Sequence, residues 1–313
     1  MGGIVSIGEV MVELTVGAGG TARVGYAGDT FNTAVYLARL GHEVAYATAL
    51  GGDDPFSGAI LELMAAEGIS DRLVARAEGR VPGLYAIDRD EAGERRFFYW
   101  RGEAPVRQLF DLADLDGLAK AMVEAEMVFV SGVTLAVLGE GGRARLLELL
   151  TAAKAAGAAI AFDTNYRPRL WDSARAALEA AEAVVPLCRF VSVSEPDAEA
   201  MADKPASDAM HAWARSGAEV VLRNDDRSVS VQTGGEIARV PPRPPLGDVV
   251  DTTGAGDSFN AAYLAARLAG RPPEQAVAAG RRLAEAVIRH TGAIIDRAGM
   301  PKLDLESLSI RSP

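Results

Sequence analysis

The chain has 313 residues, of which 49% are apolar and 24% charged, enough hydrophobic side chain for a large core and too much for a disordered segment. Its formal net charge of −11 repels phosphate backbones and anionic lipid heads alike, so no nucleic acid or membrane partner is expected. Only four lysines are present, Lys120, Lys154, Lys204 and Lys302, none in a glycine-rich loop, so any anionic ligand must be held by arginines and backbone N–H groups.

The opening MGGIVSIGEV has no basic segment before an apolar stretch, and a cytoplasmic protein is expected. Short apolar runs follow one another along the chain, separated by alanine-rich amphipathic stretches. Strands are expected at Ile4 to Ile7, Val44 to Leu50, Met127 to Val130, Ala159 to Phe162, Phe190 to Val193 and Val220 to Leu222. Helices are expected over residues 31–40, 55–67, 143–156, 173–183 and 207–216. Alternation of this kind is the signature of parallel strands joined by crossover helices, a doubly wound α/β sandwich formed as one domain over residues 1–313. Cys188 lies in the apolar run AVVPLCRFVSV and reads as a small buried hydrophobe. His42, His211 and His290 have no partners at metal-ligand spacing.

Two segments break the alternation. Residues 10–27 and 80–101 are rich in β-formers and aromatics, and the second reads as a hairpin: LYAID, the polar turn DRDEAGE, then RRFFYWR. A small sheet beside the carboxyl ends of the core strands would serve as a lid; an edge extension of the main sheet and a dimer contact are the other readings, and a combined lid and dimer surface is expected. The stretch VPPRPPLG, residues 240–247, reads as a stiff extended connector.

The segment DVVDTTGAGDSFNAAYLAARLAG, from Asp248 to Gly270, carries the chemistry. It reads as a short strand, a tight glycine turn, and a helix opened by Ser258 with Phe259, Ala262, Tyr263 and Ala266 on one face. Unpaired N–H groups at Gly254, Ala255 and Gly256, together with the positive end of the helix dipole, would form an anion hole for phosphate oxygens. Asp257 beside such an anion is electrostatically costly unless it has a task. It reads either as a helix N-cap or as a general base that takes a proton from an attacking hydroxyl. The motif alone leaves both open. Neither a third glycine for GxGxxG nor a GxxxxGK[ST] segment is present.

DTTGAGDSFNAAYL resembles the C-terminal signature of the ribokinase-like (PfkB-type) kinases, GGDDPFSGAILELMAAEGIS resembles that family's segment near residue 50, and AGDTFNTAVYLARLG resembles its N-terminal signature. The resemblance implies a ribokinase-like α/β/α sandwich with a β lid, ATP and Mg²⁺ as cofactors with a monovalent cation as a further one, Asp257 as the catalytic base, and an anion hole at Gly254, Ala255 and Gly256. The segments GDTFNTAVY, FFYWR, SGVTLAVL and FDTNYRPRLW are similar to the branch of the family that phosphorylates sugar acids of the 2-keto-3-deoxygluconate type.

A sugar acid offers a carboxylate that an arginine can read. By resemblance Gly28, Asn32, Tyr85, Tyr99, Arg101, Arg167 and Asp257 contact the sugar, while Asn165, Arg167, Ser194, Arg223, Asp225, Gly254 and Gly256 contact the nucleotide. Arg101 and Arg167 could instead pair with surface carboxylates, as exposed arginines usually do. Asp197, in VSEPDAEAM, is the residue implied to hold Mg²⁺ through water, and Asp225, in RNDDRS, stands where the family usually has glycine. A kinase of a neutral ketose or pentose, and a sugar-binding homologue without catalysis, are the competing readings. A homodimer through the lid is expected from its exposed aromatics.

Overall fold

Apolar runs flanked by helical periodicity become parallel strands because both faces of such a strand must be covered. A computed structural model describes residues 2–17, 20–89, 95–244 and 246–303. The chain divides into two compact units, residues Met1–Phe31 with Glu43–Ala158, and Asn32–His42 with Ala159–Pro313.

In the first unit, β1 (Ile4–Ile7) is followed by β2 (Met11–Val16), β3 (Ala22–Ala27) and α1 (Asp29–Arg39), which runs on into the second unit's range. Next come β4 (Val44–Gly51), α2 (Pro55–Glu67), the short β5 (Ile69–Ser70) and β6 (Val74–Ala77), then β7 (Leu84–Arg89) and β8 (Arg95–Trp100). A single turn, α3 (Leu109–Leu112), precedes α4 (Leu115–Glu124), β9 (Met127–Ser131) and α5 (Gly132–Ala155). Strand β1 lies between β9 and β4 with parallel pairing, and β4 also pairs in parallel with β5 and β6. Every residue of β1, β4 and β9 is buried. Helix α2 shows why its ends fall where expected: Asp54 caps the N–H groups of Phe56 and Ser57, and Gly68 closes it in the left-handed conformation at φ 73°.

The segments expected to form a lid make a separate four-stranded sheet, β3-β2-β7-β8. Residues 8–10 alone separate the carboxyl end of β1 from β2, so this sheet departs from the end of the core strands where ligands bind in α/β folds. β7 and β8 pair antiparallel with Tyr85 opposite Tyr99; residues 90–94 of the expected turn, and residues 18 and 19 of the other lid segment, lie outside the described residues. Tyr85, Phe97 and Tyr99 stack on one face, with ring centroids 5.8 to 6.4 Å apart.

The second unit continues with β10 (Ala159–Asp163), α6 (Ala174–Val184), β11 (Phe190–Ser194), α7 (Glu195–Ala202), α8 (Ala206–Ala214) and β12 (Glu219–Arg223). It ends with β13 (Val229–Thr233), β14 (Glu236–Val240), α9 (Ala255–Leu268) and α10 (Pro273–Val287). β10, β11 and β12 are parallel, and β13 and β14 extend them as an antiparallel hairpin. The predicted face of α9 is the observed one: Phe259, Ala262, Tyr263 and Ala266 are all buried, and Phe259, Tyr263 and Ala266 pack with Val221, Val229, Val231, Ala276 and Val277.

Three expectations are corrected. Asp248 to Val250 form no strand: Val249 and Val250 are about half exposed, and the N–H groups of Val250 and Asp251 both bond the Ile288 carbonyl instead of a sheet neighbour. Helix α9 opens at Ala255, not at Ser258, because the left-handed Gly254 supplies the turn. The helix expected over 143–156 is the second part of a longer element, broken at Gly139 (φ 66°, ψ −175°), whose first part is almost wholly buried.

One buried ion pair anchors α9. Glu219, 4% exposed, accepts from Tyr263 Oη at 2.6 Å, Arg267 Nε at 2.8 Å, Arg267 Nη2 at 2.6 Å and Thr233 Oγ1 at 3.1 Å. Burial and the neighbouring Glu219 carboxylate push the Tyr263 phenol far above its ordinary value. Removing one partner of such a pair strands the others. Glu219→Ala is expected to destabilise the fold by about 3–5 kcal/mol, read from urea denaturation, while the exposed pair Arg175–Glu179 contributes little when broken.

Candidate active site

Gly254 adopts φ 76° and ψ 2° as the residue before α9, and a Cβ there would lie 2.7 to 2.9 Å from the Cα, O and Cβ of Ala293. Only glycine accepts both that torsion and that approach. Asp251 clamps the same loop, one carboxylate oxygen taking the Thr253 N–H at 2.8 Å and the other the Gly292 N–H at 2.9 Å. Helix α1 holds the segment against which Gly254 rests: Tyr36 Oη donates to the Ala293 carbonyl at 2.7 Å and accepts the Ile295 N–H at 3.1 Å. Arg39 Nη1 donates to the Ile295 carbonyl at 2.6 Å.

Of the three N–H groups expected to face an anion, that of Ala255 bonds the Thr252 carbonyl at 3.2 Å and is a correction to the expectation: the turn closes on itself there. No partner is found among the described residues for the N–H groups of Gly254 and Gly256. These first-turn donors and the helix dipole give the site its positive character.

Asp257 lies in the first turn of α9, half-buried. Since Gly254 occupies the cap position, the N-cap reading of Asp257 falls away. Its Oδ2 accepts from Asn32 Nδ2 at 2.8 Å, and its backbone carbonyl accepts from Thr33 Oγ1 at 3.3 Å. An amide donor fixes one carboxylate oxygen without neutralising its charge. Asn32, expected as a substrate contact, thus orients the carboxylate.

Arg223, at the end of β12, lies beside the same helix start. A Cβ on Gly256 would meet its Nη1 at 2.8 Å, and its guanidinium stands 5.8 Å from the Phe259 ring centroid. A cation at the positive end of a helix is unfavourable until an anion joins them. Asp163, at the end of β10 and 3% exposed, holds it with an Oδ1 to Nη2 distance of 3.4 Å. Asp163 Oδ2 accepts from Asn260 Nδ2 at 2.8 Å, and Asn260 Oδ1 accepts from Ser192 Oγ at 2.7 Å. This network links β10, β11 and β12 to α9, and neither Asp163, Asn260 nor Ser192 was singled out by sequence. An aspartate closing an otherwise apolar strand run is the one signal that could have pointed to Asp163.

Other expected nucleotide contacts have visible structural roles. Ser194 caps α7 by accepting the Asp197 N–H at 3.3 Å, and Asp197 Oδ2 accepts the Tyr166 N–H at 3.2 Å. Asn165, in FDTNYRPRLW, sits at φ 31°. Arg167 is exposed, donates to the Tyr166 carbonyl at 3.3 Å and has no carboxylate partner among the described residues. The N–H of Asp225 donates to Glu195 Oε2 at 2.6 Å; the left-handed residue of the RNDDRS turn is Arg227, φ 67°, so the turn closes without glycine at 225. No group of three or more His, Cys, Asp or Glu residues able to hold a metal is found among the described residues.

In the first unit, Arg101 pairs with Glu9, a buried carboxylate and not a surface one. Burial pushes the Glu9 carboxyl above the usual range, with Arg101 opposing the rise. Tyr85 donates to Glu13 and stacks on Tyr99. A Cβ at Gly28 would run into the Glu9 carbonyl. Glu9 and Glu13 were missed, although two glutamates within the apolar SIGEVMVEL are an anomaly visible in sequence.

The family described as pfkB family carbohydrate kinase matches residues 1–298. A 2-dehydro-3-deoxygluconokinase of Dickeya dadantii is 38% identical over 307 residues, covering 95% of this chain and 98% of that protein. The enzyme of the same name from Haemophilus influenzae is 34% identical, covering 97% and 98%. Among solved structures, a 2-dehydro-3-deoxygluconokinase of Thermotoga maritima superposes with a TM-score of 0.77 at 21% identity, covering 94% of each chain. A putative ribokinase II of Escherichia coli, in complex with ATP and Mg²⁺, gives 0.79 at 20% identity, covering 96% of each.

The two glycines of the turn are expected to differ on substitution. Gly254→Ala meets backbone and an unfavourable torsion, and should destabilise the chain by about 2 kcal/mol. Gly256→Ala meets only the tip of the Arg223 side chain and no backbone, and should shift the urea midpoint by less than half as much; equal shifts would contradict these contacts.

Proposed function

Because the chain belongs to the pfkB family of carbohydrate kinases, we propose that it transfers the γ-phosphoryl group of ATP to 2-keto-3-deoxygluconate, giving the 6-phosphate, with Asp257 as general base. The observation that carries the substrate is the 38% identity to a 2-dehydro-3-deoxygluconokinase over nearly its whole length. For the base, the supporting observation is the Asn32–Asp257 hydrogen bond at a helix start with free donors.

In this reading the acceptor hydroxyl loses its proton to the Asp257 oxygen while its own oxygen attacks the γ-phosphorus. The bond to the β-γ bridging oxygen breaks and ADP leaves. Charge on the transferring group is met by the N–H groups of Gly254 and Gly256 and by Arg223, preorganised by Asp163. Asn165, Arg167, Ser194 and Asp225 are proposed to line the nucleotide. A bound Mg²⁺ supplies charge neutralisation across the phosphates, and the free Asp197 oxygen fits such an ion through water. Magnesium needs few protein ligands when phosphates and waters complete its shell, so a multi-carboxylate cage is not required. A monovalent cation is a further proposed cofactor, tested by comparing turnover in potassium and in tetramethylammonium buffer.

Gly28, Tyr85, Tyr99 and Arg101 are proposed as acceptor contacts, with Arg101 reading the sugar carboxylate. The sheet that carries them is proposed as a lid and as the contact of a homodimer, supported by Phe98, Tyr99 and Trp100, which are 39%, 45% and 61% exposed. No helix among the described residues is long and apolar enough to cross a membrane, and a cytoplasmic site of action is proposed.

Asp257→Asn should lower kcat by at least about a hundredfold with the melting temperature unchanged, measured by coupled ADP release; activity near that of the parent chain would reject the base. Arg101→Ala should raise KM for 2-keto-3-deoxygluconate about tenfold or more and leave the KM of neutral ketoses within about twofold. Equal effects on both acceptors would favour a neutral ketose or pentose as the substrate.

A further inference from the structure

Glu9 and Arg101 make a poor stability device. Glu9 is 3% exposed, and the Arg101 side chain only 11%. The single contact between them runs from Arg101 Nη2 to Glu9 Oε2. Glu9 Oε1 and Arg101 Nε are both buried with no hydrogen-bond partner. A buried pair repays its desolvation only when the remaining polar atoms are satisfied, and apolar residues of the same volume would be at least as stable here. The contrast with Glu219, whose two oxygens take four bonds, makes the deficiency plain.

The surroundings are nevertheless built for this pair. Glu9 sits in the three-residue link between β1 and β2, and Arg101 follows the last residue of β8. Gly83 makes room between them: a Cβ there would lie 2.6 Å from Glu9 Oε1 and 3.1 Å from Arg101 Cβ. Gly28 makes room for the Glu9 backbone, whose carbonyl a Cβ would overlap. With Nη2 spent and Nε enclosed, Nη1 is the guanidinium nitrogen left to meet a ligand. A free arginine carries about 2 kcal/mol of rotamer entropy, and a carboxylate that grips one corner of the fork removes most of that cost before the ligand arrives.

We propose that Glu9 is a positioning residue which fixes the plane of Arg101 so that Nη1 is presented to the carboxylate of an anionic acceptor, making Glu9 a determinant of acid over neutral sugars. This rests on the reading of Arg101 given above. Glu9 also places a negative charge beside the arginine, so its length and its charge must be separated. Glu9→Asp keeps the charge and withdraws the grip by one methylene. Glu9→Gln keeps the length and an acceptor oxygen but removes the charge.

Steady-state kinetics on both variants, with folding checked by thermal melting, decides the matter. Positioning is expected to raise KM for 2-keto-3-deoxygluconate about tenfold in Glu9→Asp, equivalent to about 1.4 kcal/mol, with kcat changed less than about threefold. Glu9→Gln should recover most of that loss, and the KM of a neutral ketose, or its Ki where it is not turned over, should stay within about twofold in both. A KM for the acid that falls below the parent value in Glu9→Gln would overturn the proposal, since Glu9 would then only mask the arginine. Parallel losses for acid and neutral acceptors would also overturn it, as a structural effect. Arg101→Ala in the same assay separates the two readings. Should it discriminate acid from neutral acceptors while Glu9→Asp does not, only the role of Glu9 falls; should it fail to discriminate, the carboxylate reading falls with it.

Discussion

The close approach of Gly254 to Ala293 sets the geometry on which the start of α9 in the second unit depends. Because no side chain fits between them, the chain turns left-handed at 254 and α9 begins at once. That places Gly256 and Asp257 in the first helical turn, where backbone donors are unspent and the dipole is positive. The floor of this contact is itself held from α1 through Tyr36 and Arg39. The same helix supplies Asn32 and Thr33 to Asp257. One helix thus fixes both the turn and the orientation of the carboxylate, which is how a site keeps its geometry without a rigid metal cage.

Two buried glutamates illustrate how differently an ion pair can be used. Glu219 is satisfied by a tyrosine, a threonine and two nitrogens of one arginine, and its effect is to tie the last turns of α9 to β12 and β13. Glu9 meets a single arginine nitrogen and leaves polar atoms unpaired. Satisfied networks rigidify, whereas incomplete ones mark places where the fold carries a cost for another purpose. Arg223 belongs with the second kind: its Nε is buried without a partner and its charge lies at the unfavourable end of a helix. Both arginines are positive groups held in place by a buried carboxylate.

Much of the architecture was legible because buried parallel strands write themselves as continuous apolar runs. β1, β4, β9, β10, β11 and β12 all lie where such runs occur. The run at Val249 and Val250 misled for the same reason: two valines have strand composition, but their N–H groups turn to the end of α10. The hairpin β13–β14 and the first part of α5 escaped because neither has a distinctive period against its neighbours. Within the site, Gly254, Gly256 and Asp257 were readable as a local motif. Asp163 with Asn260 and Glu9 with Arg101 were not, since their partners stand 97 and 92 residues away.

By itself the sequence determined the class of fold and the position of the glycine turn before α9, since apolar period and glycine placement are local properties that survive any packing, and its signature segments carried the resemblance to the kinase family. Only the tertiary structure decided which donors of the turn stay free, what orients Asp257, and which charges the arginines face. Those depend on side chains brought together from distant strands and helices, and on burial, which turns an ordinary glutamate into a costly and therefore informative one.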